Sequence, residues 1–364
     1  MVARSQRSLV FGALLAIAAV VVGAGLGSAA VATTTTVAPT TSTTFSSHPT
    51  VTLTAVGDTE LGNTPRLPPD PATYFAPVEG VLAAPIVFGN LEGTMTTATT
   101  SKCARIPLEC YAFRVPPSYA EIYRRAGFTV LNSANNHSDD YGPLGVAQTS
   151  AALRSAGIVQ AGLPGQIGLV REGPLKVAFV DFAPYSVTND MLDPAAATAL
   201  IARARREANV VVVYMHAGAE GTTADHVTRS TEYFFGENRG NPYAFAHQAI
   251  DAGADLVIAS GPHVLRGMQW YRGHLIDYSL GNFANYEDFA TFSTLALSGI
   301  LRVTLNAAGA FVAGRFTSLR LAATGQAFVD PTHDAANFVN QLSREDFGAS
   351  AAVILPSGAI RPQR

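Results

Sequence analysis

Lysine is almost missing from this chain. Lys102 and Lys176 are the only two among 364 residues, and with the arginines they make 24 cations against 27 carboxylates, a net charge of −3. The one basic cluster, Arg203, Arg205 and Arg206, falls in an Ala-rich helical pattern from Pro194 to Ala208 and forms its solvated face. A chain so poor in positive charge carries no electrostatic footprint for a nucleic-acid backbone, so that class of partner is excluded. Cysteine is equally scarce. Cys103 and Cys110 lie close together around Pro107, with no histidine or third cysteine nearby, which predicts a local disulfide in an oxidising compartment rather than a metal site. No internal repeat is present, and no acidic residue occurs before Asp58.

That acid-free start is itself informative. Arg4 and Arg7 precede an uncharged apolar run from Leu9 to Ala32, the layout of an export signal. The run is long enough to span a bilayer, for which about 20 apolar residues suffice, yet it closes on Ala30-Val31-Ala32, a signal-peptidase pattern. Residues 1–32 are therefore expected to be a cleaved signal peptide or a retained signal anchor. Either outcome makes the remainder extracytoplasmic, secreted in one case and membrane-anchored in the other. Residues 33–50, rich in Thr, Ser and Pro, are expected to be a disordered tether. A folded domain is expected over 51–321 and a C-terminal extension, loose apart from one helix, over 322–364.

Within 51–321, apolar runs and helical patterns alternate. Strands are expected at Val51 to Val56, Pro85 to Phe88, Thr129 to Asn132, Val210 to Tyr214 and Asp255 to Ala259, with helices at Ser118 to Ala126, Leu144 to Ser155, Pro194 to Ala208 and Pro242 to Ala252. Hairpins pair Gly168 to Arg171 with Leu175 to Phe182, and Met268 to Tyr271 with Leu275 to Leu280. Two long strands, Gly299 to Leu305 and Phe311 to Leu321, close the domain. The expected class is α/β, a mixed β-sandwich with helices on its outer faces and hairpins in its later part.

Short polar motifs stand where the apolar strands run out. Asp58 and Glu60 follow the first strand, with a sharp turn expected at Gly57. Asn90 and Glu92 follow the second, and Asn135, Asn136 and His137, trailed by Asp140, follow the third. His216 and Glu220 follow the strand at 210–214, His263 follows the strand at 255–259, and Asn282 is expected to end another. Carboxylates, amides and imidazoles gathered at strand ends are how an α/β sheet assembles a metal-centred active site.

Seven of these motifs share the order of one family. Val56-Gly57-Asp58, Gly89-Asn90-Leu91-Glu92-Gly93, Ala134-Asn135-Asn136-His137 with Asp140 and Gly142, His216-Ala217-Gly218-Ala219-Glu220, Asp251-Ala252-Gly253-Ala254-Asp255, Pro262-His263-Val264 and Tyr278-Ser279-Leu280-Gly281-Asn282-Phe283 resemble the CapA/PgsA family of poly-γ-glutamate capsule biosynthesis proteins. Singly each motif is weak; the ordered series, spread from Val51 to Leu321, is specific. The resemblance implies a four-layer sandwich of the calcineurin-like metallophosphatase type. It also implies an anionic envelope polymer or its precursor, and membrane synthase subunits, as partners.

Residue by residue, the resemblance implies that Asp58 is the first-metal carboxylate and a catalytic residue, with Glu60 where that superfamily commonly has histidine. Glu92 takes the place of the bridging carboxylate, Asn136 that of the second-metal amide, and His137 that of the general acid. His216 falls to the second metal and His263 to the first, with Glu220, Asp140 and Asn282 lining the pocket. One or two divalent ions are implied, and O and N ligands suit Mn, Zn, Fe or Mg. The chain departs from the pattern at Gly261, where the superfamily usually has a histidine; a weaker second ion follows, tightened by restoring that histidine. The expected activity is metal-dependent hydrolysis of a phosphoester or a γ-linked amide. The alternative is a non-catalytic subunit that binds the polymer or scaffolds a synthase.

Overall fold

The computed structural model describes residues 49–105 and 110–362. The signal segment and all but the end of the tether lie outside the described residues. Two sheets carry the fold. The first runs Ala327–Val329, Phe311–Leu321, Leu297–Asn306, Thr50–Glu60, Ile86–Leu91, Val130–Asn132 and Val159–Ala161, with Asn282–Asn285 also paired to Thr50–Glu60. The second runs Met268–Tyr271, His274–Asp277, Leu256–Ser260, Val210–His216, Leu175–Phe182 and Gly168–Glu172.

Strand alternation sorts the side chains into layers. Val51, Leu53 and Ala55 pack with Val177, Phe179, Val212 and Leu256 in one core between the sheets, where Phe88 stacks on Phe179 with ring centroids 5.3 Å apart. Residues of opposite parity face outward. Val56, Val87 and Leu131 bury against Tyr123 and Leu153 of the helices Ala120–Arg125 and Gly142–Ser155. Ala178, Val180, Val211 and Val213 bury against Ile201 and Phe245 of Pro194–Glu207 and Pro242–Asp251. The result is helices, sheet, sheet, helices: the expected four-layer α/β sandwich. Both later helices carry an Asx cap, Asp193 accepting from Ala196 N and Asn241 from Ala244 N, and both open on proline.

Parallel pairing is what brings the polar motifs together. Thr50–Glu60, Ile86–Leu91 and Val130–Asn132 run parallel, as do Leu175–Phe182, Val210–His216 and Leu256–Ser260, so their carboxyl ends share one rim.

Three local expectations are corrected. Gly57 makes no sharp turn. The strand continues to Glu60, and glycine is required because a Cβ there would lie 1.8 Å from Gly281 O. Asn282 opens a strand, Asn282–Asn285, rather than ending one, because Asp58 N donates to Gly281 O at 2.9 Å and draws that segment beside Asp58. The segment after Leu321 is not loose: Ala327–Val329 joins the first sheet, the helix Asp334–Phe347 buries Ala335, Val339 and Leu342, and Ala352–Ile354 pairs with Ile360–Pro362. Its apolar residues are spaced for that helix, and they complete the inter-sheet core.

Candidate metal centre

At the shared rim, ligand atoms of Asp58, Glu92 and His263 all lie within 4.8 Å of one another, and all three residues are buried. Asp58 Oδ2 is 3.3 Å from His263 Nδ1, and Glu92 Oε1 is 3.7 Å from His216 Nε2 and 4.0 Å from His263 Nε2. The last two separations are too long for hydrogen bonds. Consequently Glu92 Oε1 and His216 Nε2 are buried with no partner, and so is Asn136 Oδ1. An unpaired buried polar atom costs about 1–3 kcal/mol. Three such atoms in one motif set make sense only where something else is to be bound.

The rest of the site is tightly bonded. Asn90 Nδ2 donates to Asp58 Oδ1 at 2.7 Å and to Glu92 Oε2 at 3.0 Å, while Asn90 Oδ1 accepts from Asn132 at 2.6 Å and from Asn135 at 2.8 Å. Ser260 Oγ also donates to Asp58, as does Gly261 N at 3.3 Å. Asn282 Oδ1 lies 2.8 Å from His263 Nδ1 and fixes the ring. His263 sits at φ 61°, a left-handed conformation that is costly for histidine and clusters at functional sites.

Charge is finely divided here. Burial alone would raise Asp58; the hydrogen bond from His263 and the nearby His216 override it and hold that carboxyl below the ordinary range. Glu92, buried against Asp58, is pushed well above the ordinary range. Burial disfavours charge on His263 too, yet the Asp58 bond and the charges of Glu220 and Asp58 lift it to about 8. His216 has less compensation, and burial drops it to about 3, which leaves it neutral as a ligand must be.

His137 stands beside this cluster. Its Nδ1 is 2.8 Å from Asp140 Oδ2, and its ring packs 4.4 Å from Phe113. Asp140 is held in turn by Phe113 N at 2.6 Å and by Lys102 Nζ at 2.7 Å. With Nδ1 engaged, Nε2 is the nitrogen left for proton transfer. Burial pulls His137 below its usual value, against the raising effect of Asp140. Lys102 also donates to Asn136 O at 2.8 Å and neighbours the Cys103–Cys110 disulfide, whose Cα atoms are 5.5 Å apart.

A model of the bacterial capsule synthesis protein PGA_cap matches residues 52–287. The chain belongs to this family. It is 29% identical over 229 residues to the PGA biosynthesis protein CapA of Bacillus subtilis, covering 58% of this chain and 56% of that protein. Against the capsule biosynthesis protein CapA of Bacillus anthracis it is 30% identical over 182 residues, covering 44% and 41%. The chain thus spans about half the length of the curated relatives it matches. Among solved structures, a 5'-nucleotidase of Staphylococcus aureus aligns over 81% of this chain and 58% of its own, at 13% identity and a TM-score of 0.43.

In this PGA_cap chain the structure brings Asp58, Glu92, His216, His263, Asn136, His137, Asp140 and Asn282 to one rim. Glu60 does not join them. The strand register shifts between Asp58 and Thr59, so the alternation that would align Asp58 with Glu60 is reset. Glu60 instead faces Asp288, and burial together with that carboxylate raises it well above its ordinary value. Glu220 is displaced from the role expected for it: one oxygen is bonded to Arg239, and the other lies 3.6 Å from His263 Nε2 rather than beside His216. Four contributors escaped the sequence reading: Asn132, Ser260, Tyr185 and Arg239. Asn132 and Ser260 each end a buried strand on a polar residue, a signal that was available. Tyr185 and Arg239 lie in connecting segments without strand-end placement.

Among the described residues, no helix is long and apolar enough to cross a membrane.

Proposed function

We propose that this PGA_cap chain is an extracytoplasmic metal-dependent hydrolase of envelope-polymer metabolism, acting on a phosphoester or a γ-linked amide. The observation that carries this is the set of unpaired buried atoms, Glu92 Oε1, His216 Nε2 and Asn136 Oδ1, converging on the Asp58, Glu92 and His263 cluster. An oxygen and nitrogen donor set without sulfur fits Mn, Zn, Fe or Mg. Asp58, Glu92 and His263 would hold one ion, and His216 and Asn136 would reach a second with Glu92 between them. When bound, such ions supply Lewis acidity and lower the pKa of a water toward 7. The chain's own residues supply the rest. Asn90 and Ser260 orient the carboxylates, Asn282 orients His263, and His137, steadied by Asp140, delivers a proton to the leaving group.

A second reading, a non-catalytic subunit that holds an anionic polymer or scaffolds a membrane synthase, is favoured by Gly261. That residue lies against His216, where the superfamily pattern has a histidine, so the second ion has fewer ligands.

The deciding measurement is metal content of the purified protein together with turnover of an aryl phosphodiester with and without added Mn²⁺. Bound metal with turnover that Asp58→Ala abolishes supports the hydrolase. Bound metal without turnover moves the assignment to the polymer-binding reading, and absence of metal refutes both.

A further inference from the structure

His216 is followed by a segment that folds back over the rim. Gly218 N donates to Arg239 O at 2.9 Å, and Arg239 N donates to Glu232 O at 2.9 Å, so the hairpin Tyr233–Phe234 with Glu237–Asn238 is fastened directly after His216. Glu232 secures it further through the buried Arg266, with contacts of 2.7 and 3.2 Å. Gly218, at φ 106°, is required there, since a Cβ would lie 2.7 Å from Arg266 Nη1. The hairpin is therefore anchored without help from the Arg239 side chain.

That side chain is nevertheless only 5% exposed and faces the rim. Nη1 donates to Tyr185 Oη at 2.7 Å, and Nη2 is bonded to Glu220, whose other oxygen lies 3.6 Å from His263 Nε2. Nε makes no hydrogen bond; Glu237 Oε2, on an exposed side chain, is 3.5 Å away. The guanidinium lies 5.6 Å from the Phe234 ring centroid and 5.9 Å from that of Tyr185, so aromatic faces keep water from it. A buried ion pair repays its desolvation poorly as a source of stability. This one joins a cation to the rim through a carboxylate, and guanidinium geometry suits paired oxygens.

We propose that Arg239, backed by Tyr185, binds an anionic group of the substrate, a carboxylate or phosphoryl group presenting two oxygens, and that Glu220 occupies that place when no substrate is bound. The inference rests on the hydrolase reading for what the site does, and it adds a substrate requirement: negative charge one residue's reach from the bond that is cut. A chain of γ-linked glutamate offers such a charge as the α-carboxylate beside each amide, and a phosphate ester offers it as its phosphoryl oxygens.

The test is calorimetric titration of the full chain, with and without Mn²⁺, by inorganic phosphate, by a γ-linked glutamate tetramer, and by the same tetramer with its carboxylates amidated. Wild type is compared with Arg239→Met, Arg239→Lys and Tyr185→Phe, with metal content measured on each. Charged hydrogen bonds of this kind correspond to about 10- to 100-fold in affinity. Arg239→Met is expected to weaken phosphate or the acidic tetramer by that factor, Arg239→Lys to recover part of it, and all variants to keep wild-type metal content. The ligand that responds identifies the source of the anion, and the amidated tetramer should not bind. Equal affinity of wild type and Arg239→Met for both anions overturns the proposal, as does failure of wild type to bind either. Failure of the hydrolase reading looks different: anion binding that still depends on Arg239, in a protein without metal or turnover.

Discussion

The side-chain amide of Asn90 donates to Asp58 Oδ1 at 2.7 Å while also reaching Glu92 Oε2 at 3.0 Å, so one amide nitrogen holds two buried carboxyl groups together. Its oxygen is saturated by Asn132 and Asn135, which fixes which way the amide points. Asn90→Ala removes the donor from both carboxyls. The metal-free protein is expected to lose about 1–3 kcal/mol. Metal binds only the folded state and recovers part of that loss. Thermal unfolding with and without Mn²⁺ checks this: the gap in Tm between the two conditions should widen in the variant. An unchanged gap would show that Asn90 does not organise the metal centre.

His137 is placed beside the cluster but contributes no atom to the group within 4.8 Å. Losing its ring should therefore leave metal content intact. Its role as proton donor to the leaving oxygen predicts that His137→Ala lowers kcat for an aryl phosphodiester by about 10²- to 10⁴-fold. Survival of activity with metal unchanged would remove the general-acid role. A fall in metal content would move His137 among the ligands.

The architecture and most of the rim were legible because buried parallel strands announce themselves as β-branched runs, and each ends in a polar residue that a plain core could not satisfy. Val210 to Tyr214 followed by His216 is the clearest case. What could not be read was side-chain direction near irregular backbone. Glu60, two residues from Asp58, looks like its companion until the register shift between Asp58 and Thr59 is seen. Arg239 was invisible for a different reason. Its place at the rim depends on a fold-back of more than twenty residues after His216, held by Gly218 and Glu232, and no local pattern encodes that return. The C-terminal helix was underread because Asn, Gln and Ser dilute its apolar stripe, although Val339, Leu342 and Phe347 are buried.

Gly261 gives a prediction opposite to the one its sequence context suggests. Restoring the superfamily's histidine there looks like a way to tighten the second ion. Yet Gly261 has φ +115°, and a Cβ at that position would lie 3.1 Å from Ala217 N and 3.2 Å from the His216 ring. A side chain in that conformation costs about 1–3 kcal/mol. Gly261→His and Gly261→Ala should therefore destabilise the protein by similar amounts, and the histidine should press on His216 rather than add a ligand. Chemical denaturation of both variants with metal stoichiometry measured in parallel decides the matter. A histidine variant that binds more metal at undiminished stability would restore the simpler expectation.

Asp181 offers a test of the fold's electrostatics away from the metal. It is fully buried in register with Tyr214, neither carboxylate oxygen has a hydrogen-bond partner, and burial pushes its pKa well above the usual carboxylate range. A folded-state pKa above the unfolded one means that the proton favours folding. That contribution is fully present below the unfolded value of about 4 and is lost as pH rises through the folded one, by about 1.4 kcal/mol per unit of displacement. Asp181→Asn keeps the shape and cannot ionise. It should match wild type in stability near pH 5 and become progressively more stable than wild type as pH is raised toward 9. Urea unfolding across that range is the measurement. Parallel stability curves would mean that Asp181 is already ionised in the folded protein and has a partner, such as an ordered cation, that favours its charge.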